Sequence, residues 1–243
     1  MTNSQERVKE MALIEFKNVT KQYFTGLHII NALDDACFTI DKGEFVVILG
    51  PSGAGKSTLL NLLGGMEKAT SGEIIVDGKN ITALSDGKLT KYRASDVGFV
   101  FQFYNLIPTL TAIENIELIS DICENAVPAS QVLNEVGLLD HKYQFPSQLS
   151  GGEQQRVSIA RAISKNPKML LCDEPTGALD SETGVQILTL LQNLSREKNT
   201  TVIIVTHNAA LAEAADKIIK VKNGKIKDIM INENPKAVNE VNW

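Results

Sequence analysis

The stretch Phe45-Val46-Val47-Ile48-Leu49-Gly50-Pro51-Ser52-Gly53-Ala54-Gly55-Lys56-Ser57-Thr58 decides how the rest of the chain is read. The apolar run Phe45 to Leu49 reads as a buried strand, a glycine-rich turn follows, and Ser57 to Leu63 has helical spacing. The turn fits the pattern GxxxxGK[ST] in the context that gives it chemical meaning, between a strand and a helix start. Its glycines let successive backbone N–H groups point at phosphate oxygens, and the helix N-terminus adds the positive end of its dipole. Gly50, Pro51, Ser52, Gly53, Ala54, Gly55, Lys56, Ser57 and Thr58 therefore form a candidate phosphate cradle. Lys56 would reach the β- and γ-phosphates, and Ser57 would offer its hydroxyl to Mg²⁺, so the implied ligand is Mg-ATP.

A phosphate cradle alone leaves kinase, GTPase and motor chemistry open. Met169-Leu170-Leu171-Cys172-Asp173-Glu174 adds an apolar strand that ends in two carboxylates, at the strand edge where open α/β sheets bind ligands. Asp173 suits the Mg²⁺ shell. Glu174 suits the task of orienting a water, or accepting its proton, as it attacks the γ-phosphate.

Working outward, Ala12 to Val19 and Ala36 to Ile40 read as early strands. Ser71 to Val76 and Val97 to Phe101 flank the Asp77-Gly78 turn signal, which predicts a small antiparallel sheet beside the main one. Leu110 to Ser164 is mostly helical, broken at Pro128, Pro146 and Ser150-Gly151-Gly152. Buried strands at Met169 to Cys172 and Thr201 to Val205, separated by a helix from about Ser181 to Arg196, resume βαβ alternation. Lys217 to Met230 reads as two strands about Asn223-Gly224, followed by a loosely structured end.

Composition sets the outer limits. In 243 residues, 43% hydrophobic and 22% charged, there is material for one substantial core. The net charge of -5 argues against a protein held to nucleic acid by bulk electrostatics. No apolar run approaches the roughly 20 residues that span a bilayer, so membrane work would require a partner. The polar start MTNSQERVKEM carries no secretory pattern, which predicts a cytoplasmic chain. Cys37, Cys123 and Cys172 are scattered and read as inert packing thiols, while His28 and His141 read as ordinary structural histidines.

Leu149-Ser150-Gly151-Gly152-Glu153-Gln154-Gln155-Arg156 resembles the signature motif of the ATP-binding cassette (ABC) family, with Glu153 where many cassettes have Gln. Gln102, after a strand, resembles the family's Q-loop residue, which contributes to catalysis and to the metal. Ala178-Leu179-Asp180 resembles the D-loop, and His207, after Val205-Thr206, the switch histidine that contacts the γ-phosphate. Tyr23 resembles the aromatic that stacks on adenine.

The resemblance implies an α/β P-loop NTPase with a RecA-like, mainly parallel sheet core, an antiparallel β subdomain and an inserted α-helical signature subdomain at about 103–165. The cassette would cover 11–235, between a flexible tail at 1–10 and a C-terminal tail at 236–243. It further implies ATP and Mg²⁺ as cofactors and a homodimer of cassettes arranged head to tail, with two composite sites. In each, Ser150, Gly151, Gly152 and Asp180 from one copy would meet the ATP held by Lys56 of the other. A separate integral membrane permease would seat near Phe103 to Leu106 at the cytoplasmic face of the membrane, with an extracytoplasmic adaptor as a further partner. LSGGEQQR, VFQFYNLIPTLTAIEN and DEPTGALDS look most like the branch of macrolide and antimicrobial-peptide exporters and the lipoprotein-release system. A signalling complex without cargo, and a non-transport ATPase that clamps nucleic acid, are the other readings; the acidic charge and the lack of coiled coils or basic inserts weigh against the second.

Overall fold

The computed structural model describes residues 12–26, 28–123 and 126–242. Two long strands come first, β1 (Ile14–Thr25) and β2 (His28–Ile40), then the strand β3 (Phe45–Leu49) and helix α1 (Lys56–Leu63) on either side of the phosphate turn. Strands β4 (Ser71–Val76) and β5 (Lys79–Asn80), helix α2 (Asp86–Ser95) and strand β6 (Val97–Phe101) follow. A helical lobe is inserted next: α3 (Ala112–Glu117), α4 (Ala129–Glu135) and α5 (Gly151–Ile163). Strand β7 (Met169–Asp173), helix α6 (Ser181–Lys198) and strand β8 (Thr201–Thr206) restore the alternation, and the hairpin β9 (Lys217–Lys222) and β10 (Lys225–Ile231) ends it.

Six strands form the main sheet in the order β10-β9-β3-β8-β7-β6, and four form an antiparallel sheet in the order β2-β1-β4-β5. All neighbouring pairs in the larger sheet are parallel except β9 with β10. Parallel strands are covered on both faces, which is why they read as unbroken apolar runs. Their side chains alternate between two cores. Phe45, Val47, Leu170, Cys172, Val202 and Ile204 face one core with the helical lobe and α6, whereas Val46, Ile48, Met169, Leu171, Ile203 and Val205 face the other with α1, α2 and the antiparallel sheet. The stacked rings of Phe16 and Phe38, with centroids 4.4 Å apart, fasten β1 to β2 in the second core.

Four expectations change. Val97 to Phe101 joins the main sheet as its far edge, parallel to β7, instead of entering the antiparallel sheet. A five-residue apolar run carries no mark of which sheet it completes. Strands β1 and β2 outrun Ala12–Val19 and Ala36–Ile40 because backbone pairing continues through Tyr23 opposite Ile30 to Thr25 opposite His28, past the point where side-chain burial alternates. Helix α2 is additional: of its residues only Leu89 and Tyr92 are buried, too weak a stripe to stand out. Cys37 is exposed and does not pack, although Cys172 is fully buried.

The end of the chain is also not loose within the described residues. Val238 and Val241 are buried in the lobe-side core. Gln192 on α6 holds the segment: Nε2 donates to the carbonyls of Ala214 and Lys236, and Oε1 accepts from the Val238 N–H at 3.0 Å. The flexible tail expected at 1–10 lies outside the described residues. Removing residues 236–243 deletes the two-valine anchor and uncovers the apolar surface it packs on, which at about 1.5 kcal/mol per valine amounts to about 3 kcal/mol. The melting temperature of the truncated protein is expected to fall by roughly 6–12 °C. An unchanged melting curve would show that the segment adds nothing to the fold.

Candidate functional site

The site lies where four strands of the main sheet end within one residue of a common level. Leu49 is opposite Thr206, Asp173 opposite Val205, and Phe101 opposite Asp173. The residue after each end is therefore a site candidate: Gly50 after β3, His207 after β8, Glu174 after β7 and Gln102 after β6.

After β3 the chain turns tightly into α1. Gly55 has φ 104°, and a Cβ there would sit 2.2 Å from the Ala32 carbonyl oxygen, so glycine is required at this approach. The Gly224 N–H donates to the Ala54 carbonyl at 2.9 Å, so the turn of the last hairpin braces the loop from outside. Both turn residues, Asn223 and Gly224, have positive φ, the geometry that Asn-Gly favours. Lys56 is only 8% exposed, and its ammonium donates to the carbonyls of Gly50 and Pro51 at 2.8 and 3.1 Å. The cation is thereby held against the loop's own carbonyls.

Two cavities open on this loop. One, of about 430 Å³, is lined by Ser52, Gly53, Lys56, Ser57, Phe101, Gln102, Phe103, Asn105, Asp173 and Glu174. The other, of about 320 Å³, shares Gly53, Lys56 and Ser57 and adds Ile30, Asn31, Ala32, Thr58, Asn223 and Gly224. The first therefore brings together the cradle, both carboxylates and Gln102. Burial pushes the Asp173 carboxyl up from its ordinary value; a hydrogen bond from Ser57 opposes that, Glu174's charge adds to it and Lys56 opposes it. Ser57 and Asp173 are thus in contact, and with Gln102 they present the all-oxygen donor set that Mg²⁺ requires.

Glu174 is fixed from two sides. Thr206 Oγ1 donates to its Oε2 at 3.0 Å, and His207 Nδ1 lies 3.0 Å from its Oε1. Its backbone is left-handed, φ 47°, held by Glu174 N–H to the Val205 carbonyl and Gly177 N–H to the Glu174 carbonyl. A non-glycine residue in that region costs of order 1 kcal/mol and marks a position dictated by its surroundings.

The remaining candidates line neither cavity. Ser150 caps α5 in a reciprocal box, accepting from Glu153 N–H at 3.3 Å while Glu153 Oε2 accepts from Ser150 N–H at 2.7 Å. These contacts hold the Glu153 carboxyl below its usual range. They also account for Glu in place of Gln, since either side chain closes a capping box. Gly151 and Gly152 begin α5, with Gly152 packed against Thr183; Asp180 caps α6 by accepting from Thr183 N–H at 3.0 Å. Tyr23 stands at the rim with its hydroxyl bonded to Glu67 and in contact with Thr58, and Lys21 sits 5.0 Å over its ring. His141 forms no site; its Nδ1 lies 3.1 Å from Gln144 Oε1. Sequence reasoning missed Thr206, the Asn31–Ala32 backbone and the bracing role of Gly224. Only Asn223-Gly224 left a signal, and it was the signal of a turn.

A glycine-rich loop over a buried lysine, with a strand-end Asp-Glu pair facing it, defines a nucleoside-triphosphatase site of the P-loop class. The sequence pattern of the ABC transporter family matches residues 33–177, more than half of the chain. An ABC transporter ATP-binding protein of Methanocaldococcus jannaschii, MJ0796, is 45% identical over 224 residues, covering 88% of this chain and 95% of that protein. An ABC transporter ATP-binding protein of Mycoplasma genitalium is 44% identical over 240 residues, covering 98% of this chain and 52% of that protein. The chain thus spans about half the length of that relative and of its Mycoplasma pneumoniae counterpart, of which it covers 51%. Among solved structures, the dimeric post-hydrolysis state of MJ0796 bound to ADP and Pi superposes with a TM-score of 0.82 at 44% identity, covering 90% of this chain and 98% of that one. The chain belongs to the ABC transporter family. It is an ATP-binding cassette of that family.

Because the folded-state pKa of Asp173 is raised, its ionised form costs stability at neutral pH, and the cost disappears as pH falls through that pKa toward the ordinary carboxylate value near about 4. In protein free of nucleotide and Mg²⁺, Asp173→Asn is therefore expected to raise the melting temperature at neutral pH, with a gain that shrinks on acidification. Melting curves across that range check this; a gain that grows toward low pH would refute it.

Proposed function

We propose that the cassette binds Mg-ATP at its phosphate loop, pairs head to tail with a second copy, and hydrolyses ATP to drive a separate membrane permease. The observation that carries this reading is the split of the site: the cradle, carboxylates and Gln102 share one cavity, while Ser150, Gly151, Gly152 and Asp180 line neither. A second copy supplies what one chain leaves out. Ser150 and Gly152 of the partner subunit, at a helix N-terminus, would meet the γ-phosphate held by Lys56, which is anion binding by backbone N–H groups and the helix dipole. The dimeric structures of MJ0796 support the pairing of two copies.

In the assembled site Glu174 takes a proton from water as the water oxygen bonds to the γ-phosphorus and the bond to the bridging oxygen of ADP breaks. Thr206 and His207 aim its carboxylate. Lys56 and the loop N–H groups take up charge developing on the phosphate oxygens. Mg²⁺, held by Ser57 and Asp173 with Gln102, would neutralise the phosphates and orient them.

Exposed apolar groups support the permease contact. Phe103 is 73% exposed and Ile122 61%, and Phe103 follows directly on Gln102; Leu106, by contrast, packs against the lobe-side core. Among the described residues no helix is long and apolar enough to cross a membrane. Export of an antimicrobial peptide, a macrolide or a lipoprotein-like cargo, and attachment at the cytoplasmic membrane face, rest on the sequence resemblance to that branch.

Glu174→Gln is expected to retain ATP binding, lose turnover by at least about a hundredfold, and run as a dimer of the 26.5 kDa chain when Mg-ATP is present. Adding Ser150→Arg should return it to monomer with each phosphate loop intact. Light scattering with the two variants decides the matter, and a dimer indifferent to Ser150→Arg would contradict the head-to-tail arrangement. Affinity capture of Glu174→Gln with Mg-ATP from solubilised membranes reads the partner: a permease with few spans and a large extracytoplasmic domain supports export, and only soluble or nucleic-acid-bound proteins would refute it.

A further inference from the structure

Gln155 lies in the second turn of α5 and is fully buried. Its Nε2 donates to two backbone carbonyls, Pro175 at 2.8 Å and Phe101 at 3.3 Å. Phe101 immediately precedes Gln102, and Pro175 immediately follows Glu174. The amide therefore joins the ends of two neighbouring strands at the points from which both side chains depart. Its orientation is fixed by chemistry, because the flipped amide would set its oxygen against two carbonyl oxygens. Its Oε1 is buried without a hydrogen-bond partner.

That orphan oxygen is informative. A buried acceptor left unmet costs free energy that an apolar side chain of the same length would avoid. The side chain therefore holds its place through its N–H donors, which go to the carbonyl of Phe101, a cavity-lining residue, and to that of Pro175, next to cavity-lining Glu174. Farther along the same helix, Arg161 donates to the carbonyls of Tyr104 and Asn105 at 3.1 and 2.7 Å, so α5 grips the loop that carries Gln102 at its far end too.

We propose that Gln155 is a positioning residue for ATP hydrolysis, its amide setting Gln102 and Glu174 together through the carbonyls of Phe101 and Pro175. The inference rests on the proposed assembly and adds a coupling to it. Helix α5 meets the partner's nucleotide through its N-terminus and its own site through Gln155.

The test is steady-state turnover and nucleotide binding in the full-length protein with Mg-ATP, for Gln155→Met, which keeps length without donors, and Gln155→Glu, which turns an acceptor toward both carbonyls. The maximal rate is expected to fall about tenfold or more in Gln155→Met and further in Gln155→Glu, with the dissociation constant for ATP within about twofold of wild type. As pH is lowered, the rate of Gln155→Glu relative to wild type should climb, because the protonated carboxyl regains a donor. In a Gln102→Ala background, Gln155→Met should cost much less than it does alone, since the two act through one carbonyl. An unchanged maximal rate with only a lower melting temperature would overturn the proposal, as would equal losses in the two backgrounds or failure of both variants to fold. Wild-type protein without Mg-ATP turnover would sink the cassette reading and this inference with it; turnover unharmed by Gln155→Met sinks the inference alone.

Discussion

Everything the site does depends on the parallel register of β3, β8, β7 and β6. Hydrogen bonding sets Leu49 beside Thr206, Val205 beside Asp173 and Asp173 beside Phe101, so the chain leaves the sheet four times within one residue of the same level. Residues from far-separated parts of the sequence, Gly50, Gln102, Glu174 and His207, are thereby adjacent without any contact among their own segments being needed. A slip of one residue in any of these pairs would send each side chain to the opposite core and shift the strand end by about 3.3 Å. Burial on both faces makes that slip costly, and in this sense the apolar runs protect the chemistry.

Around that edge, in the proposed site, backbone polarity would do most of the binding work. The phosphate loop would offer its N–H groups and the start of α1, and in the proposed dimer the signature segment would offer the start of α5; the caps at Ser150 and Asp180 fix where α5 and α6 begin. Side-chain charge is used sparingly and under constraint. Lys56 is tucked against loop carbonyls, Asp173 is partly desolvated beside Ser57, and Glu174 is tethered by Thr206 and His207. Groups held this way have little left to reorganise when a charged substrate arrives, which is the condition under which fixed dipoles stabilise a transition state best.

Much of this was legible in the sequence because the phosphate loop, the Asp-Glu pair and the signature string are each local: their chemistry is fixed by a few neighbours along the chain. The strands were legible for a related reason, since two-sided burial writes itself as consecutive apolar residues at Phe45, Met169 and Thr201. What stayed hidden depends on pairing or docking at long range. Val97 to Phe101 has the composition of a strand but nothing that says which sheet it completes. Helix α2 buries only two side chains, the end of the chain is held by two buried valines and a glutamine on α6, and Gln155 looks like one more polar letter in a helix until the carbonyls above it are seen. Thr206 is likewise silent, because its partner lies on the neighbouring strand.

The main sheet is also a partition. Its two faces feed separate cores, one shared with α1, α2 and the antiparallel sheet, the other with the inserted lobe and α6. The two cores share no buried side chain and meet only through the backbone of the sheet between them. Substitutions that reshape the lobe and its outer surface therefore fall on the side of the sheet away from α1, and the phosphate grip is insulated from them. The same engine can be refitted to a different vehicle by altering one side of a wall, and the few residues that cross that wall's edge, such as Gln155, set how far the refitting can go.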